Sequence, residues 1–204
     1  MTEKTLFDEN LTLEEAKELI KNGANVNEKD LHGRTPLFFV NDYQIAQLLI
    51  NHGADVNHER THLFTPLMVA HKIEIIKVLV QNGADIHKRS SYGHSCLHIY
   101  QNKEILEYFL GLGIDINIRM HNGLNLLSSA NTIFAKYLVE HGILPSTIND
   151  YLRYRYLFRK EQQEAFDIFA SITHNNEDFF HMCLAYQEGM KNLDQVEIKE
   201  MDIL

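Results

Sequence analysis

Cysteine is scarce in this 204-residue chain, which holds only Cys96 and Cys183, in different segments. Two isolated thiols give no disulfide framework to read, and such sparing use fits a reducing compartment. The first ten residues lack a positively charged start leading into an apolar stretch, so they do not read as a secretory signal. No apolar run approaches the length needed to cross a bilayer. The expectation is a cytoplasmic protein with no membrane association. The sequence also has no Gly-rich phosphate loop, no G-x-S-x-G elbow, no H-E-x-x-H and no Cys-x-x-Cys pair. No catalytic residue, cofactor or metal is therefore expected, and the chain reads as a non-enzyme.

Positive charge is in deficit. The net charge is -9; residues 1–145 hold 13 Lys and Arg against 17 Asp and Glu, and residues 146–204 hold 6 against 11. An acidic surface repels phosphate backbones, which argues against nucleic acid as a partner. It favours a basic protein.

What the chain does have is a period. Gly23-Ala24-Asn25-Val26-Asn27 returns as Gly53-Ala54-Asp55-Val56-Asn57, as Gly83-Ala84-Asp85-Ile86-His87 and as Gly113-Ile114-Asp115-Ile116-Asn117, with a worn copy from Gly142. Twelve residues after each Gly stands Thr35-Pro36-Leu37, Thr65-Pro66-Leu67, Ser95-Cys96-Leu97 or Asn125-Leu126-Leu127. Before each Gly runs an apolar stripe at helical spacing, such as Ile75, Val78 and Leu79. A fixed period means stacked units rather than one globule. Over residues 11–146 the phrases resemble the ankyrin repeat, with T-P-L opening a first helix and G-A-D-V-N following a second. The resemblance implies an all-α ankyrin-repeat solenoid over residues 1–146, with a truncated first repeat and about four more. Residues 147–204 are expected to form a helical cap with an acidic tail. The usual period is about 33 residues, so the contraction at Val69-Ala70-His71-Lys72 predicts a short inner helix and a tight turn.

Thr12 and Glu15 have capping-box spacing ahead of a helix that ends at Gly23. Pro36 and Pro66 suit a first helical turn, with Thr35 and Thr65 placed to cap it. Repeats three and four lack the proline, which predicts less sharp helix starts. Beyond Pro145, Asn149-Asp150 is placed to cap a helix whose Tyr151, Tyr154, Leu157 and Phe158 share one face. Its other face places Leu152 and Tyr156 among Arg153, Arg155, Arg159 and Lys160, a basic patch with two readings: a dock for an acidic loop or a phosphate, or, favoured, arginines lying over the apolar cap or pairing with Glu161 and Glu164. Ala165, Phe166, Phe169 and Ile172 continue the apolar pattern, and residues 177–189 read as a further helix.

In the family the resemblance points to, partners are gripped by hairpin fingertips. The matching positions are His32 and Arg34, His62 and Phe64, Tyr92 and His94, and His121 and Leu124. Stacking sets His32, His62, Tyr92 and Asn122 in one row and Arg34, Phe64, His94 and Leu124 in the next. Tyr, Phe, Arg and His are the residue types suited to anchoring an interface. The competing reading folds Phe64 back onto its own repeat, where Leu63 replaces the family's glycine. His94-x-Cys96-x-His98 is the tightest metal-like cluster, but it lacks a second ligand pair at zinc spacing, and a structural role for His98 is expected. The functional expectation is a protein-binding module that inhibits a partner by occlusion, of immunity or antidote type. Two alternatives stand beside it: a secreted bacterial effector whose export signal is the acidic tail over residues 196–202, and an enzyme with activity in the C-terminal helices.

Overall fold

The computed structural model describes residues 4–160 and 163. Two compact units divide it, residues 1–126 and 127–204. The readings of Glu161, Glu164, Ala165 to Ile172, the helix over 177–189 and the acidic tail lie outside the described residues.

In the first unit, nine-residue outer helices alternate with inner ones of a single turn. The outer helices are α1 (Leu13–Lys21), α2 (Tyr43–Asn51), α4 (Ile73–Gln81) and α6 (Lys103–Gly111). The inner ones are a 3-10 turn (Pro36–Phe38), α3 (Pro66–Val69) and α5 (Cys96–Ile99). Side chains start three of these four outer helices: Thr12 and Glu15 form the expected reciprocal box, Asp42 accepts from Gln44 N–H at 2.7 Å, and Asn102 accepts from Ile105 N–H at 3.2 Å, while Lys72 ahead of α4 makes no such bond. Glycine ends them. At Gly53, φ is 87°, and Ala54 N–H then donates to Leu49 C=O at 3.0 Å. The apolar stripes meet in a continuous core, where Leu49, Leu67, Ile75, Ile76, Leu79, Leu97 and Phe109 are buried.

Asparagine clamps join successive repeats. Asn27 donates to Gly53 C=O at 2.7 Å and accepts from Asp55 N–H at 2.9 Å. Asn57 does the same to Gly83 C=O and Asp85 N–H, at 2.9 and 2.7 Å. The third copy carries His87 at this position.

Two expectations about the inner helices are corrected. Thr35 and Thr65 do not cap; their hydroxyls are buried and meet no partner among the described residues. In so short a helix the third N–H is already given to the threonine's own carbonyl, Phe38 to Thr35 and Met68 to Thr65. Nor does losing proline blunt the start, since α5 has the same four-residue length as proline-led α3. There His98 Nδ1 accepts from Ser95 N–H at 3.2 Å and lies 2.9 Å from Ser95 Oγ, closing the first turn.

The second unit contains most of α7 (Leu126–Ser129), then α8 (Thr132–Glu140), α9 (Ile148–Tyr154) and a 3-10 turn (Arg155–Leu157). Asn131 caps α8 by accepting from Phe134 N–H at 2.9 Å. Tyr151, Tyr154 and Phe158 are buried as expected, with Leu157 half-buried, and Tyr154 O–H donates to Ala130 C=O. The cap of α9 is corrected: Thr147 accepts from Asp150 N–H at 3.1 Å. The buried Asp150 carboxylate instead accepts from Ser128 Oγ at 2.8 Å and Ser146 Oγ at 2.5 Å. The guanidinium of Arg153 lies 4.8 Å from the Tyr154 ring centre, while Tyr156 is exposed. Among the described residues, no helix is long and apolar enough to cross a membrane.

Candidate functional site

Each fingertip is built from a turn that closes on its own backbone. In the first, Asp30 accepts from His32 N–H at 2.9 Å, Arg34 N–H at 2.8 Å and Arg34 Nε at 2.7 Å. Partial burial works against its ionised form, but the bonds from Arg34 and His32 outweigh that and hold its carboxyl below the usual range. Ser90 plays the same part in the third fingertip, its Oγ accepting from His94 N–H at 3.1 Å and Tyr92 N–H at 3.3 Å. The second fingertip has Arg60 at that position, which offers no acceptor. Its turn is closed by Arg60 N–H to Phe64 C=O at 3.0 Å, with His62 and Leu63 both left-handed, at φ 63° and 61°.

Neighbouring fingertips are tied edge to edge. Thr61 Oγ1 donates to His32 C=O at 3.2 Å, Ser91 N–H to His62 C=O at 2.9 Å, and His121 N–H to Tyr92 C=O at 3.2 Å. Gly93 is required at the last of these joins, because a Cβ there would stand 2.5 Å from His121 N. Arg89 adds a further tie, donating to Gly93 C=O and to Arg119 C=O.

The ladder places His32, His62, Tyr92 and His121 on exposed tips. Of these, His62 and Tyr92 meet: their ring centres are 5.1 Å apart, and Tyr92 Oη lies 3.4 Å from His62 Nδ1. The second row is half-buried. Phe64 sits under the Arg60 guanidinium at 4.9 Å and 6.3 Å from His94, whose ring is also 6.0 Å from Tyr92. Phe64 therefore packs on its own hairpin and also joins the neighbouring tip. Arg34 is turned away from the row, paired with Asp30 and lying 4.3 Å over Phe39. Leu124 is half-buried.

His94, Cys96 and His98 do not converge on a point. Cys96 lies in the core with Sγ 3.5 Å from Ile86 C=O, and burial pushes its thiol up to about 12. His98 bonds to Ser95; burial, followed by the nearby His94 and Arg89, lowers its imidazole to about 4. Among the described residues, no three His, Cys, Asp or Glu side chains group so as to hold a metal ion.

Sequence reasoning missed Arg60, which the structure places over Phe64 in the hairpin that also carries His62. Its signal was positional: Arg60 stands where the flanking hairpins have Asp30 and Ser90. Residues 8–90 match the family model described as ankyrin repeats, in three copies. No curated protein matches the chain.

Proposed function

This chain belongs to the ankyrin-repeat family, and from that premise we propose that it inhibits a partner protein, without catalysis of its own, by covering part of the partner's surface with its fingertips. Ankyrin repeats bind other proteins, so a protein-interaction module is the role the repeats themselves indicate. The observation that carries the finer reading is the exposed His62–Tyr92 contact, set on tips whose backbones are already bonded to one another. A surface ordered before binding loses little conformational entropy on contact, and flat aromatic side chains on it present large area with few rotors to freeze. The net charge of -9 favours a basic protein in long-range approach. A resident inhibitor of immunity or antidote type matches a binder of this kind.

The test begins with affinity capture by the full chain and identification of what co-elutes. Tyr92→Ala and His62→Ala are then expected to weaken the complex by about 1–2 kcal/mol each, with thermal melts unchanged. Titrating the chain into its partner should abolish the partner's activity at stoichiometric ratio. Parent-like binding by both variants would overturn the fingertip assignment. A bound partner that keeps full activity would overturn inhibition.

A further inference from the structure

The fingertips carry charge of the opposite sign to the rest of the chain. Residues 27–34, 57–64, 87–94 and 117–124 hold six Lys and Arg against three Asp and Glu, whereas the whole chain is at -9. Six of the twelve histidines fall in the same four segments. Two of the three carboxylates are already occupied, Asp30 by Arg34 at 2.7 Å and Glu59 by Lys88. The guanidinium at the centre of the row is not so paired. Arg60 makes no ion pair among the described residues, and its guanidinium is held over the Phe64 ring. On the same hairpin stands the exposed His62, whose Nδ1 lies 3.4 Å from the exposed Tyr92 hydroxyl of the next tip.

Resting on the fingertip reading above, we propose that this strip docks an acidic segment of the partner, an extended stretch rich in Asp and Glu that crosses successive tips. A guanidinium fixed on an aromatic face presents two parallel N–H groups, the geometry that takes a carboxylate in bidentate fashion. The imidazole and phenol, 3.4 Å apart, add hydrogen-bonding groups on the adjoining tips. Arg60 and His62 share one hairpin and Tyr92 stands on the next, and the Ser91 N–H bond to His62 C=O holds the two tips edge to edge, so a chain lying across the tips meets them in order. Charge complementarity at the contact selects the partner and sets the register. A nucleic acid, whose charge extends far past the strip, would also face the acidic remainder of the chain.

The probes are labelled decaglutamate, decalysine and a ten-residue oligothymidylate, each titrated into the isotope-labelled full chain and followed by amide shifts. Decaglutamate is expected to move amides within residues 59–64 and 90–94. Its affinity should fall about fivefold or more in Arg60→Glu, and again when the ionic strength rises from about 0.01 to about 0.15 M. Arg60→Gln, with a melt unchanged from the parent, guards against a folding defect and should weaken binding in the same direction. Absence of shifts on the tips, equal affinity in both Arg60 variants, or tighter binding of the oligothymidylate at the same residues would overturn the acidic-segment assignment. If decaglutamate fails while Tyr92→Ala still releases the captured partner, the acidic class is wrong and the fingertip site stands. If Tyr92→Ala leaves that partner bound, the fingertip reading itself is lost.

Discussion

At Leu63 a branched side chain holds the left-handed conformation that glycine takes at the matching position of the first hairpin, where Gly33 has φ 74°. His62 before it is left-handed too. Such conformations cost a non-glycine residue about 1–2 kcal/mol, and strain of this kind gathers where a surface is held ready for use. Leu63→Gly is therefore expected to stabilise the fold by about 1 kcal/mol in a denaturant melt, since the relief exceeds the extra freedom glycine brings to the unfolded chain. A loss of stability would show that the turn is relaxed as it stands. That Leu63 departs from glycine was legible in the sequence. That His62 follows it was not, because the second turn lacks the side-chain acceptor that Asp30 and Ser90 supply to its neighbours. His98 offers a second test at this scale. Unfolded, an imidazole titrates near 6.5; in the fold burial holds His98 at about 4. Between those values the unfolded chain binds more protons, so stability is full above about pH 6.5 and declines as pH falls toward 4. The loss at pH 5 is expected to be on the order of 1–2 kcal/mol, and His98→Gln should flatten that part of the profile. Glu15 acts in a lower window. Its carboxyl is held at about 2 by Lys4 and Thr12, so its contribution is present above about 4.5 and disappears as pH falls through 2.

Between elements, the informative contrast is the clamp. Asn27 and Asn57 each bridge two repeats through a donor and an acceptor, while His87 makes no side-chain hydrogen bond to the next repeat among the described residues. His87→Asn should restore the pattern and stabilise by about 1 kcal/mol, and Asn57→Ala should cost about as much. Paired urea melts check both; a destabilising His87→Asn would mean that the third and fourth copies are spaced differently from the first three. The helices themselves were legible because apolar side chains recur at helical spacing and a glycine ends each outer helix. The caps were less so. In helices of three or four residues the hydroxyls of Thr35 and Thr65 stand at the capping position yet meet no donor among the described residues. At Asp150 a residue type suited to capping faces inward to two serines. A one-dimensional pattern does not encode that choice.

For the molecule as a whole, net charge and local charge point to different chemistries. An average of -9 suggested a basic partner, but the average conceals four hairpin segments that together carry six Lys and Arg against three Asp and Glu. The period made those hairpins countable in the sequence, while the pairing of Asp30 and Glu59, which leaves Arg60 without a carboxylate among the described residues, appears only in three dimensions. The buried thiol at Cys96 has a different consequence. It lies next to Ser95 in chain order and only two residues beyond His94, yet burial shuts off its thiolate. A disulfide-exchange reagent can reach it only when the third repeat opens, so in a Cys183→Ser background the labelling rate becomes a clock for that opening. Occupying the fingertips should slow the clock by the factor 1 + [L]/Kd that binding to the closed form imposes. A labelling rate that ignores a bound partner would mean that the third repeat opens without releasing it.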